Sequence, residues 1–353
     1  MQKRVAIVEI GGSHDECILS QVMGLKDEGA WIVFCGSRAV FEKNSLFAHY
    51  FDAFHEVILP KTMLGDVGAM RDLNKWFVRE KIDVVVCNTA QGGHVRNLAL
   101  SANRKVKFVG IIHTIKMLQG SFTQKLISTK IKEYFVLNDA LLRKVEPVSG
   151  LKLHSFYPLN YPRFESQLEK STNQKWIAII GGVENRRKDL VGFVEMAKQT
   201  GEDVHFYFLG KSDTQKQEVI DFKSILAQEG LEKRVHLFDS FLSEQEMDAH
   251  LSQMDGIFPL VHPNTPSAEE YFSRQISGGI NIAFSYKIPM MIHEDYSSWE
   301  DFQKGVVFYS LANFSDRWKF FQHSHADLIE ELKVNTKFDS AAQNQLFAHL
   351  VLA

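Results

Sequence analysis

Long apolar runs are missing from this chain of 353 residues; no stretch approaches the roughly 20 apolar residues a membrane-spanning helix requires, so no membrane crossing is expected. The run after Lys3-Arg4 lasts about six residues before glycines break it, too short for a signal peptide, and a cytoplasmic location is expected. Cysteine is scarce: Cys17, Cys35 and Cys87 all fall in the first quarter, two of them inside apolar runs, which argues against a disulfide framework or a zinc site. With 8 prolines, 24% charged and 45% hydrophobic residues, the composition is that of a folded globular chain rather than a disordered or fibrous one. A dinucleotide fingerprint is absent too. The first strand runs into Gly11-Gly12-Ser13-His14 without the G-x-G-x-x-G spacing, and the second ends in Cys35-Gly36-Ser37-Arg38 with no acidic residue, which counts against an NAD enzyme.

What is present is a rhythm. Short β-rich runs at 5–10, 31–36, 84–88, 108–113 and 134–138 alternate with amphipathic stretches such as 16–28 and 69–80, the pattern of parallel strands covered by helices. The segment 157–175, with two prolines and a polar tail, reads as a linker, after which the rhythm restarts at 176–182, 204–210, 235–239, 256–261, 289–293 and 306–310. The expected organisation is an α/β chain of two doubly wound Rossmann-like domains, 1–160 and 161–315, facing a cleft. Helices over 316–353 are expected to pack back toward the first domain. The net charge of -3 conceals an asymmetry, with 21 Lys and Arg against 15 Asp and Glu in residues 1–160 and 19 against 28 thereafter. That excess, with Leu118, Phe122 and Leu126 spaced as one helical stripe beside Lys125, Lys130 and Lys132, suggests peripheral contact with an anionic membrane face; an ordinary crossover helix explains it as well. No nucleic-acid partner is expected.

Three loops carry candidate chemistry. Gly11 and Gly12 allow a ligand close to the backbone, or simply make a tight turn. In GGVENRRKDL, Gly181-Gly182 end a strand and Arg186, Arg187 and Lys188 stand at the expected start of a helix, where cations oppose the dipole unless an anion such as a diphosphate balances them; the alternative is a solvated basic turn. Lys211, after the next strand, is a further cation for the same place. In the third loop Glu269 and Glu270 precede Ser277-Gly278-Gly279, which open a helix whose amides suit a phosphate, or whose glycines serve helix–sheet packing. Among the histidines, His14, His94 and His113 all fall at strand ends or in glycine-rich loops, and neutral imidazole suits both hydrogen bonding and acid–base work.

Residues 176–293 resemble the catalytic half of the retaining glycosyltransferase group called glycosyl transferases group 1, which has the GT-B fold. The resemblance lies in a basic pair ending in lysine before a helix, matched by Arg187 and Lys188. It lies also in a Pro-Ser-x-x-Glu stretch with a following aromatic, matched by Pro266, Ser267, Glu270 and Phe272, and in an Ala-to-Pro ending matched by Ala283 and Pro289. The family's second glutamate, which usually holds the ribose, has no counterpart: the two possible registers give Gly278 and Ile282, and the stretch is four residues longer than the family pattern. The resemblance implies transfer of a sugar, with retention, from a nucleoside-diphosphate sugar to an unidentified glycan, lipid-linked or small-molecule acceptor, as in polysaccharide synthesis. No other cofactor is implied. Glu270, His113 and Lys188 are then the catalytic candidates, with Gly11, Gly12, Arg187, Lys188, Lys211, Ser277, Gly278 and Gly279 around the donor. A sugar-nucleotide epimerase of the same fold and a non-catalytic sugar-nucleotide-binding protein are the alternatives.

Overall fold

The computed structural model describes residues 2–11, 14–60 and 62–353. The chain divides into two compact units, Met1–Tyr161 with Asp339–Ala353, and Pro162–Phe338.

In the first unit seven parallel strands are ordered β3-β2-β1-β4-β5-β6-β7: β1 (Arg4–Glu9), β2 (Trp31–Gly36), β3 (Ala53–Glu56), β4 (Val84–Cys87), β5 (Lys107–Ile112), β6 (Glu133–Val136) and β7 (Lys152–Ser155). The central strands are buried on both faces, as their unbroken apolar runs require, and Val5 to Val8 pair with Ile32 to Cys35 on one side and Val84 to Cys87 on the other. Two strands were not apparent in the sequence pattern. β3 and β7 are sheet edges paired on one side only, so AFHE and KLHS need no apolar run. The last helix, Ser340–Leu352, packs on Ile18–Asp27 so closely that a Cβ on Gly24 would stand 2.5 Å from the Asn344 carbonyl oxygen.

The basic stretch 116–135 does not form one stripe. A short 3-10 turn, Ile115–Leu118, and a helix, Phe122–Ile127, are separated by Gly120 at φ 93°; Leu118 is buried while Phe122 is exposed.

The second unit holds six parallel strands ordered β10-β9-β8-β11-β12-β13: β8 (Lys175–Ile180), β9 (Val204–Lys211), β10 (Val235–Phe238), β11 (Gly256–Ile257), β12 (Met290–His293) and β13 (Val306–Tyr309). Phe193, Phe206, Phe208 and Phe222 fill its core, and Phe314, Trp318, Phe321 and Leu328 join it. Of the segment 316–353, therefore, the helices Phe314–His323 and His325–Lys333 belong to the second unit, and only the last helix joins the first. β11 is shorter than its apolar run because Pro259 has no N–H to donate and Leu260 turns to φ 57°, taking the chain out of the ladder.

Candidate functional site

In each sheet the strand order reverses beside the first strand, between β1 and β4 and between β8 and β11. Parallel sheets bind ligands outside the carboxyl ends of the strands at such a reversal, because the loops diverge there and leave a crevice.

At the second reversal the loop after β8 is tied to the loop after β11. The Asp189 N–H donates to the Leu260 carbonyl at 2.9 Å, and Ser267 donates to the Arg186 carbonyl through its N–H at 3.1 Å and its hydroxyl at 2.6 Å. Gly181 takes φ 86°, a conformation that suits glycine, and the backbones of Gly182 and Lys211 lie so close that any Cβ on Gly182 would collide with the Lys211 carbonyl. The glycine pair thus shapes the protein's own turn.

Lys188 occupies the space this turn leaves. It is buried, its Nζ donates to the Gly182 carbonyl at 3.0 Å, and Nζ lies 3.2 Å from where a Gly181 Cβ would stand. Burial pushes its ammonium down to about 8, against the opposing pull of Glu184 and with a further push from Arg187.

The three cations do not sit in the helix. Arg186, Arg187 and Lys188 form a turn before it, in which both arginines reach Glu184, at 3.5 and 3.4 Å, and the helix Leu190–Lys198 is already capped by the Asp189 carboxylate, which accepts from the Gly192 N–H at 2.8 Å. What the turn offers an anion is therefore not a helix dipole but a buried ammonium whose only hydrogen bond among the described residues is to a neutral carbonyl.

Gly278 and Gly279 do open a helix, Gly278–Tyr286, and the two differ. A Cβ on Gly279 would press on Ile180 at 3.0 Å, which brings this helix start onto the end of β8; one on Gly278 would meet only open space. Ser277 precedes them without capping the helix through its side chain. Glu270 is exposed on the short helix Ala268–Ser273. Lys211 is exposed, with Nζ 5.9 Å from the ring centre of the exposed Phe241.

Behind Lys188 lies a chain of buried polar groups not singled out from the sequence. His262 Nδ1 stands 2.8 Å from Asp189 Oδ2, and its Nε2 stands 2.7 Å from the Tyr309 hydroxyl. A histidine closing the apolar run FPLVH was the available signal.

At the first reversal, Glu9 ends β1 fully buried, accepting from the Asn88 amide and the Thr89 hydroxyl at 2.7 Å each. Asn88 also donates to the His14 carbonyl at 3.0 Å, and Gln21 donates to Asn88. The His113 Nε2 lies 2.8 Å from the Asn88 carbonyl; a carbonyl only accepts, so Nε2 carries the proton and Nδ1 is a bare acceptor. That Nδ1 is buried without a partner among the described residues, while His14 stacks on the ring at 3.7 Å. Burial, with His14 adding to it, pushes the imidazole down to about 4, so it is neutral near pH 7. Gly11 is exposed beside this cluster's strand; Gly12 lies outside the described residues. His94 instead pairs with Asp66. Glu9 was legible as a carboxylate inside an apolar strand, Asn88 and Gln21 were not. No group of three metal-ligating side chains lies together among the described residues, and no helix there is long and apolar enough to cross a membrane.

No protein-family model and no curated protein matches the chain. Solved structures do. HepE of Anabaena, determined with UDP, aligns at TM-score 0.71 and 13% identity over 99% of this chain and 100% of its own. A glycosyltransferase from Rickettsia africae aligns at 0.63 and 11% identity over 99% and 93%. A UDP-N-acetylglucosamine 2-epimerase aligns at 0.60 and 12% identity over 100% and 98%. With two doubly wound parallel sheets and alignments that run the length of the chain, the protein has the GT-B fold.

Proposed function

We propose that the chain is a glycosyltransferase that takes a nucleoside-diphosphate sugar as donor, UDP-glucose being the first to test because HepE has been solved with it. The observation that carries the reading is the buried Lys188 ammonium at the carboxyl end of β8, where the exposed Gly278 helix start also lies. Departure of a sugar from a diphosphate leaves negative charge on the leaving group. A desolvated ammonium and the free amides of a helix start stabilise that charge more than water does, because they are already oriented. Arg187 adds a second cation, and no further cofactor enters the reading. Glu270, on the short helix that follows the loop tied to the lysine turn, is assigned to the donor sugar as it acquires positive character. The acceptor is assigned to the first unit, where the bare Nδ1 of His113 takes a hydrogen bond from a hydroxyl.

Two measurements test this. UDP added in steps to the protein should raise its melting temperature, and the affinity should fall as pH rises through about 8, by at most about tenfold per unit, as Lys188 loses its proton. Lys188→Met keeps the buried volume and should lower turnover on UDP-glucose by on the order of 100- to 1000-fold. UDP affinity that is flat with pH, together with unimpaired turnover in Lys188→Met, places the diphosphate elsewhere. The epimerase reading has one specific support, the alignment over the whole chain with a solved UDP-N-acetylglucosamine 2-epimerase. Conversion of a UDP-sugar without any acceptor would favour it.

A further inference from the structure

Lys188 is followed directly by a residue held at three points. The Asp189 N–H donates to the Leu260 carbonyl, its Oδ1 accepts from the Gly192 N–H, and its Oδ2 lies 2.8 Å from His262 Nδ1. Asp189, His262 and Tyr309 are all buried. Burial alone would raise the Asp189 carboxyl, but the bonds from His262 and Gly192, the attraction of His262 and a further bond from Asn264 outweigh it and hold the group below its usual range, so it is a carboxylate. A carboxylate only accepts, which assigns the Nδ1 proton of His262 to this bond. Tyr309 closes the other ring nitrogen at 2.7 Å, and burial holds its hydroxyl well above the usual phenol range, so it keeps its proton. The backbone has been shaped to admit this chain: a Cβ on Gly192 would collide with the Asp189 carboxylate and stand 3.1 Å from His262 Nδ1. Leu260, whose carbonyl receives the Asp189 N–H, is one of four non-glycine residues at positive φ among those described.

An ordinary helix cap needs none of this. Asp, Ser and Asn cap helices through a single side-chain oxygen that accepts from a backbone N–H of the first turn, and an aspartate's second oxygen needs no buried partner for it. Here the second oxygen is fixed by a histidine that is itself fixed by a tyrosine, and the residue so immobilised adjoins the lysine whose ammonium points back at Gly182. We propose that Asp189, His262 and Tyr309 form a positioning relay that sets where the Lys188 ammonium stands, an inference that rests on Lys188 being the anion-binding group. The groups facing that ammonium are Glu184, Arg187 and Glu218. None of them belongs to the relay, so the relay acts by placing the lysine rather than by adding charge beside it.

Competitive acylation of the full-length protein, read by peptide mass spectrometry from about pH 6 to about pH 11, follows the titration of Lys188 with no nucleotide present. The wild-type midpoint is expected near 8. In His262→Leu the lysine turn is released toward water and the midpoint should climb by about one unit or more toward the ordinary lysine value. In His262→Asn the amide nitrogen replaces Nδ1 as donor to Asp189, and the midpoint should stay close to wild type. Tyr309→Phe, which removes only a hydroxyl, should move it part of the way, and it decides the matter if His262→Leu does not fold. Unchanged midpoints in the folded variants, or equal shifts in His262→Asn and His262→Leu, overturn the relay. Failure of UDP to bind, with the midpoint still obeying His262, would instead overturn the donor-binding reading and leave the relay standing.

Discussion

His113 illustrates how one carbonyl determines the chemistry of a side chain. Because Asn88 offers an acceptor to Nε2, the opposite nitrogen is left without a proton, and burial, against the opposing pull of that bond, keeps the ring neutral far below its usual titration range. The consequence for stability has a definite sign. An unfolded imidazole takes up a proton near 6.5 and the folded one only near 4, so the contribution of the neutral ring is complete above about 6.5 and is lost as pH falls toward about 4. His113→Gln, which keeps a donor toward Asn88 but does not titrate, should show a shallower fall in melting temperature across that window than wild type. An equally steep fall would assign the acid sensitivity to other groups. That His113 mattered was readable from its place after an apolar strand, but its protonation was not, since the partner lies 25 residues away.

Adjacent glycines at the start of Gly278–Tyr286 separate packing from ligand access. Gly279 faces Ile180 at 3.0 Å and Gly278 faces open space. Gly279→Val should therefore cost about 1 to 3 kcal/mol of stability through overpacking against β8. Gly278→Val should leave the unfolding free energy within about 1 kcal/mol of wild type and weaken UDP binding instead, because the added branch stands in front of the helix amides. Calorimetric titration beside a denaturation curve distinguishes the two, and a Gly278→Val protein that binds UDP normally removes this helix start from the site. Both roles were foreseeable for a Ser-Gly-Gly helix start, but their division between two neighbours depends on which of them meets a strand 98 or 99 residues earlier.

The chain as a whole builds its first unit from two segments. Asp339–Ala353 returns to lie on Ile18–Asp27, and the Lys107 ammonium donates to the Leu350 and Val351 carbonyls at 3.0 and 3.1 Å. The second unit is one continuous segment with its own core. A chain ending at Phe338 should consequently lose amide-exchange protection over residues 18–27 and 107–112 while keeping it in 175–180 and 204–211. Equal loss in both sets would show that the units do not unfold separately.

The sequence by itself determined the fold class and marked the loops at the strand ends as candidates for ligand binding. Parallel strands buried on both faces must be apolar throughout, and ligands of such sheets meet the loops at the strand ends, so both signals are local. Tertiary structure alone decided which polar groups face one another. Asp189, His262 and Tyr309 are separated by 73 and 47 residues, and Glu9 and Asn88 by 79. Glu9 and His262 stand out beside their apolar runs, but no window shows any of these residues its partner, and each pairing appears only when burial removes water and leaves another side chain as the hydrogen-bonding partner.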